Sequence, residues 1–342
     1  MPTESQGAYE TPAELRTLSL TMNRTTRLVV TLTVLALIGA GAAALLVWWT
    51  DGRLNPLARE ECIADVDDHR VSLQLEQAVH AATIAAVAEQ RGLPARAITI
   101  ALATAFQESD LYNLDYGDRD SLGLFQQRPS QGWGTPEQVQ DPVYAAGAFY
   151  DELVKIGDYR ELEITDAAQR VQRSAFPDAY AQHESNARAL ASALSGNSPA
   201  GLTCTFRPAS HDAEKPGDDG LTPRARTVRN EIETSHGPLT VGGFDPDGID
   251  SGHIAGSAHY DGRAIDIFFR PHDDPASRRS GWVVAHWLVV NADRLGIATV
   301  IYDDRIWTAR RSDEGWRPYT HPSGNTTDAT LRHLDHVHVD VR

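Results

Sequence analysis

Lysine is nearly missing from this chain: Lys155 and Lys215 are the only two in 342 residues, so arginine carries almost all the positive charge. Acidic residues outnumber basic ones enough to leave a formal charge of −16. Phosphate binding needs clustered cations, so the shortage excludes nucleic acid as an expected partner. It does not exclude a carbohydrate, because sugar rings are held mainly by shape, stacking and neutral hydrogen bonds. Cysteine is scarce as well, with only Cys62 and Cys204. Against these absences stands an apolar content of 41%, enough for domains with real cores.

One segment fixes the expected geography. From Leu28 to Trp49 the chain reads LVVTLTVLALIGAGAAALLVWW, without a charge. A helix of that length, rising about 1.5 Å per residue, crosses a hydrocarbon core of roughly 30 Å. Arg24 and Arg27 precede it and Trp48 and Trp49 close it, matching basic-inside and aromatic-interface tendencies. A cleaved signal peptide with Ala40-Gly41-Ala42 as its site is the alternative, but the apolar run continues well past that point. Residues 1–27 are therefore expected to be a short cytoplasmic tail and 28–49 a single span of the cell membrane. Everything after Asp51 then lies outside the cytoplasm. One span cannot form a transport pathway by itself. Both cysteines fall on the exported side, where pairing prevails, so a Cys62–Cys204 disulfide is expected, clasping the two ends of one domain.

From about Asp65 to Ser195 the sequence is Ala-rich with helical periodicity, as in LQLEQAVHAATIAAVAEQRG and ARAITIALATAFQES. Gly92 and Pro94 punctuate those two helices as a stop and a start. After Cys204 the segment RPASHDAEKPGDDGLTPRA is rich in Pro, Gly and charge and reads as a linker. Beyond it, RAIDIFF, IATVIYDD and HVHVDV read as strands, and WVVAHWLVVNADRLG as a helix ending at Gly296. No internal repeat is present. The expected fold class is multidomain: the transmembrane helix, a mainly-α domain over 60–205, a linker over 206–226, and an α+β domain over 227–342.

The most informative run is ATAFQESDLYNLDYGDRDSLGLFQQRPSQGWG. Glu108 closes a nearly apolar helix in which Ile98, Ile100, Leu102 and Phe106 should be buried. A carboxyl group held against such a surface is partly desolvated, which raises its pKa, as a proton donor to a glycosidic oxygen requires. A glutamate at a helix end is ordinarily a solvated surface residue; the segment that follows makes the difference. Glu108-Ser109, then Ser121-Leu122-Gly123-Leu124-Phe125-Gln126, then DPVYAAGAFYDEL (Asp141 to Leu153) together resemble the lysozyme-like lytic transglycosylases over about Leu73 to Ala193. The resemblance implies that Glu108 protonates the leaving oxygen and that Ser121 and Gln126 lie on the substrate side. The Ala-Tyr-Asn triplet common in that family is not found; VQRSAFPDAYAQHE stands there, with Phe176 and Tyr180 as loose substitutes. Tyr116 and Trp133 are candidate sugar-stacking platforms. Asp110, Asp115, Asp118 and Asp120 read as loop-solvating charges, unless one lies across the cleft and makes a two-carboxylate, hydrolysing site.

The last third contains SAHYDGRAIDIFF and RHLDHVHVDVR. In HVHVDV, residues two apart share a strand face, so His336, His338 and Asp340 point one way. Imidazole and carboxylate are natural zinc ligands. The order Ser257-Ala258-His259, Gly262-Arg263-Ala264-Ile265-Asp266, then Asp335-His336-Val337-His338 resembles the zinc D-alanyl-D-alanine carboxypeptidases, whose fold is shared by Hedgehog signalling domains. That resemblance implies Zn as cofactor, held by His259, Asp266 and His338, with Asp335 as the base and His336 or His333 supporting the oxyanion. Gly262 fits a tight turn that returns Asp266 to the site. Arg263, Arg229 and Arg226 are the candidates for holding a substrate carboxylate. His253, His286 and His321 have no motif around them and read as packing or surface residues. Asp245, Asp247 and Asp250 lack the full spacing of a calcium loop.

The sequence thus points to a membrane-anchored enzyme whose partner is peptidoglycan: glycan strands for Glu108, stem peptides for the zinc domain. A noncatalytic wall-binding protein that keeps both folds is the rival reading.

Overall fold

A helix that is apolar on every side must be covered on every side, and the run GWVVAHWLVV is such a helix. In the computed structural model it lies within the helix Pro275–Val290 and is buried from Gly281 to Val290. The structure describes residues 59–173, 178–324 and 327–342; the expected tail at 1–27, the expected span at 28–49, and Phe176 lie outside them. Among the described residues, no helix is long and apolar enough to cross a membrane.

The chain forms an N-terminal, mainly helical region and a C-terminal mixed α+β region. The first opens on a hairpin, β1 (Glu61–Val66) and β2 (His69–Leu73), turning at Asp67 and Asp68, both at positive φ. Helices α1 (Leu75–Gln90) and α2 (Ala95–Ser109) follow, with Gly92 at φ 63° and Pro94 capping α2, as their punctuation predicts. Then come α3 (Pro136–Val139) and α4 (Pro142–Leu153), whose cap Asp141 accepts from the backbone N–H groups of Val143 and Tyr144. The helices α5 (Ile164–Gln172) and α6 (Glu184–Leu194) lead to β3 (Leu202–Thr205).

Strands β2, β1 and β3 form an antiparallel sheet in which Cys62 sits directly opposite Cys204, and the two are disulfide-bonded. The expected clasp is present. It closes a separation of 142 residues, for which the chain-entropy view gives at most roughly 4–5 kcal/mol.

The second region begins with α7 (Pro223–His236), so the helix starts inside the segment expected to be linker. The stretch before it is ordered against its surroundings: Asp219 binds Arg226 and Arg229, and Thr222 donates its backbone N–H to Gly262 O at 2.9 Å. Residues 219–222 take part in specific turns and ion pairs, while residues 207–213 and 215–218 before them are exposed. Then follow β4 (Val241–Gly242), β5 (Ala264–Phe268), α8 (Pro275–Val290), α9 (Ala292–Leu295), β6 (Ile297–Tyr302), β7 (Arg305–Thr308), β8 (Arg317–Pro318) and β9 (His336–Val341). The six strands make one antiparallel sheet in the order β4-β5-β9-β6-β7-β8.

Helix α8 packs on β6 and β9 and, on its other side, on α1 and α6, so the two regions share a core. The seam is also hydrogen-bonded. Trp316 Nε1–H donates to Leu202 O at 2.8 Å, and Gln90 Nε2–H to Thr234 O at 3.0 Å. Fully buried His286 donates from Nδ1 to Ala193 O at 2.9 Å, leaving Nε2 without a partner. Burial pushes this imidazole down to about 4 from an ordinary 6.5. Between those values the unfolded chain takes up a proton that the fold refuses, so the stabilisation present above 6.5 is lost as pH falls towards 4. The expected loss is up to about 3 kcal/mol. His286→Phe should flatten this part of the wild-type dependence, read as melting temperature at pH 7 and pH 4.5. Parallel curves for the two proteins would assign the acid sensitivity elsewhere.

Candidate functional site

Two constellations of polar side chains break into the apolar framework. The first is at the C-terminal end of α2. Every residue from Ala97 to Phe106 is buried, so Glu108 leaves the core only half-exposed. Buried Tyr180 donates its hydroxyl to Glu108 Oε1 at 2.7 Å, and Gln172 at the end of α5 donates to the same carboxylate. Burial raises the Glu108 pKa, while the Tyr180 and Gln172 bonds oppose the rise without cancelling it. The neighbouring Ser109 hydroxyl donates to Leu124 O at 2.7 Å, and Gln172 Nε2–H to Phe125 O at 2.7 Å. The Ser121–Gln126 segment is therefore stitched beside the acid.

Within that segment Ser121 and Gln126 are spent on the loop itself. Ser121 donates to Asp118 O at 2.6 Å, and Gln126 Nε2–H reaches Tyr116 O at 3.2 Å. A Cβ on Gly117 would lie 1.9 Å from Gln126 Oε1, so only glycine permits this fold-back. Their polar atoms serve the loop backbone, which gives both residues a shaping role. Tyr116 projects outward with 68% of its surface exposed, whereas Trp133 is half-buried against the core. Asp120 accepts from Arg128 and from the backbone and hydroxyl of Ser130, which hold its carboxyl far below the usual range. It is a loop-fixing carboxylate.

The second constellation lies on the sheet. Asp266 of β5 is directly opposite His338 of β9, so both project from one face. His259 arrives from a 3-10 turn, Ala258–Asp261, closed by Gly262 at φ 65°; a Cβ there would lie 2.3 Å from Gly220 O. His259 Nδ1–H donates to Gly243 O at 2.6 Å, which turns its unprotonated Nε2 towards the other two. Nε2 lies 3.0 Å from His338 Nδ1 and 3.3 Å from Asp266 Oδ1, and the last two are 3.1 Å apart. All three residues are buried. On the far side His338 Nε2 is 3.4 Å from Asp340 Oδ2. Burial acts to raise the Asp266 carboxyl and to lower the His338 imidazole. The bonds between them outweigh it, holding Asp266 well below and His338 above their ordinary values.

His253, expected to be packing or surface, belongs to this cluster. Its ring stacks on His259 with centroids 3.9 Å apart. His253, His259 and Asp266 form a group that can hold a metal ion, with one donor atom from each within 4.8 Å of the others. No motif surrounds His253, so sequence carried no signal for it. The Gly242-Gly243 pair was the available hint for the cradle under His259: a Cβ on Gly243 would lie 2.5 Å from that ring.

Asp335 and His336 stand beside the cluster, with His336 Nε2 3.8 Å from Asp266 Oδ1. Asp335 Oδ1 accepts from His336 Nδ1–H at 2.8 Å, and Oδ2 from Arg270 Nε and Nη2 at 3.0 and 2.8 Å. Burial acts to raise this carboxyl, but His336 and Arg270 hold it below the ordinary range, which weakens it as a base. Of the three candidate arginines, Arg263 lines the cavity over the cluster; Arg226 and Arg229 are instead tied to Asp219. Arg270, which sequence did not single out, lines it too. The cavity has a volume of about 790 Å³.

No curated protein matches the chain. Residues 217–330, which include His253, His259 and Asp266 but stop short of His336 and His338, are similar to a family described as "VldE, C-terminal domain".

Proposed function

We propose that this chain is a peptidoglycan-cleaving enzyme, anchored by its N-terminal apolar segment and acting outside the cytoplasm. The observation that carries the reading is Glu108: a half-buried carboxyl whose pKa burial has raised, held by Tyr180 and Gln172 beside an exposed aromatic loop. The disulfide fits an oxidising compartment. In the proposed reaction Glu108 transfers its proton to the glycosidic oxygen as the bond to the muramic carbon breaks. The resulting carboxylate then takes a proton from the muramic 6-hydroxyl, whose oxygen closes onto the same carbon. The products are a free sugar hydroxyl and a 1,6-anhydro end. This route needs one carboxylate, and Asp120 is already committed to Arg128 and Ser130.

For the second centre the proposed ligands are His259, Asp266 and His338, and the proposed metal is zinc. Tetrahedral ligands at 2.0–2.1 Å from a metal stand roughly 3.4 Å apart, close to the 3.0–3.3 Å triangle of donors here. Bound there, Zn²⁺ supplies Lewis acidity towards a peptide carbonyl. The chain's own contribution is orientation: Gly243 fixes the His259 tautomer, Asp340 backs His338, and Arg270 holds Asp335.

Digesting purified peptidoglycan and reading the products by mass spectrometry tests the whole reading. Anhydromuramyl ends are expected from Glu108; reducing ends would point to a hydrolase, and an untouched wall would reject the enzyme. Tyr180→Phe sharpens the test. Loss of its hydroxyl removes a bond that favours the charged form, so the Glu108 pKa rises further. Because the acid must be protonated, the alkaline limb of the activity profile should move up by about one to two pH units, given hydrogen bonds to charged groups of roughly 1.5–3 kcal/mol. An unmoved limb would mean that Tyr180 does not tune this carboxyl.

A further inference from the structure

We propose that His253 is a fourth, displaceable ligand of the metal centre, so that the resting site is closed by its own chain; this rests on the metal reading above. The triangle of His259 Nε2, Asp266 Oδ1 and His338 Nδ1 supplies three donors and leaves one side of a tetrahedron open. His253 stands over that cluster. Its ring lies 3.9 Å from the His259 ring at 20° between planes, and one of its nitrogens is within 4.8 Å of a ligand atom of His259 and of one of Asp266. Closing from there to a ligand separation of roughly 3.4 Å takes a ring movement of about 1–2 Å.

The backbone around His253 fits such a movement. Gly248, Gly252 and Gly256 all have positive φ, and none would bring a Cβ within 4 Å of another atom, so the loop turns on glycines that face open space. The Tyr260 side chain pins it. Its hydroxyl donates to His253 O at 2.6 Å and accepts from His253 N–H at 3.1 Å, holding the residue through its backbone, while the ring rests on His259 and edge-on to Tyr260. Next to it Ile254 is an exposed apolar side chain on the cavity rim. A substrate entering the 790 Å³ cavity meets this rim and must lift His253 to reach the metal. The inner three ligands hold the ion; the fourth excludes small competing ligands until the cavity fills.

The test uses the full-length chain in detergent, loaded with Co²⁺, with azide as the competing ligand. X-ray absorption should count three imidazoles in the wild type and two in His253→Ala, and azide should bind the variant at least tenfold more tightly. His253→Phe keeps a ring to stack on His259 but offers no donor, so it should behave like His253→Ala. Equal imidazole counts and equal azide affinities in all three proteins would overturn the proposal, as would wild-type behaviour of the Phe variant. Unchanged Co²⁺ uptake by Asp266→Asn would instead reject the metal reading beneath it, a separate result.

Discussion

Glu108→Gln is expected to lower glycan cleavage by about 10²- to 10⁴-fold, the usual contribution of a positioned proton donor. Glutamine has the same shape and its side-chain oxygen still accepts the Tyr180 hydroxyl, so the contact at 2.7 Å survives. What disappears is the transferable proton. The same substitution should leave the protein at least as stable at neutral pH, and the sign follows from the direction of the shift. Burial raises the folded-state pKa of Glu108 above its ordinary 4.5. The protonated acid therefore suits the fold, and stability is lost as pH rises through the folded value. The neutral amide escapes that loss. Decreased turnover with an unchanged or higher melting temperature at pH 7 is the expected pair of readings. Full activity in the variant would remove Glu108 as the acid; a fall in activity together with a fall in melting temperature would mean damage to the fold.

That the acid could be found in sequence and its tuner could not has a physical basis. The long apolar face of α2 and the Ser-Gly-Leu-Phe-Gln run are local patterns, readable within about 20 residues. Tyr180 reaches Glu108 across 72 positions, and its partner Gln172 enters from another helix. Nothing local marks such a meeting. The hairpin β1–β2 escaped for a different reason: its turn uses Asp67 and Asp68 in left-handed backbone where glycine or asparagine is the usual sign. Cys62 and Cys204 can be paired from sequence because the chain has only two cysteines, whereas the strand register that sets them opposite each other is not legible there. In the second region the strand alternation of HVHVDV placed His336 and His338 on one face, and the resemblance supplied Asp266 and His259. The stacking of His253 and the Arg270 grip on Asp335 depend on loop paths that strand periodicity does not encode. Likewise, the apparent linker hid its order because Asp219 finds its arginines only once α7 has formed.

Metal removal should have the other large effect. Three buried donors 3.0–3.3 Å apart are costly to assemble without an ion between them, since each imidazole and carboxylate gives up water to be there. Binding only to the folded chain stabilises it by about 2.7 kcal/mol at a metal concentration 100 times the dissociation constant. For a unit of this size that raises the melting temperature by roughly 5 °C. Zinc in that excess should therefore lift the melting temperature relative to chelator-treated protein. Asp266→Asn should erase the lift and reduce zinc affinity by more than about 100-fold, because loss of an outer-shell partner alone costs 10- to 100-fold. Asp340→Asn removes only the backing on His338 Nε2 and belongs in that milder range. The ordering matters more than either value. If the two variants lost affinity equally, Asp266 would be a supporting residue and the ion would sit elsewhere in the cavity; if zinc failed to shift wild-type melting at all, the triangle would be a hydrogen-bonded core cluster with no metal to hold.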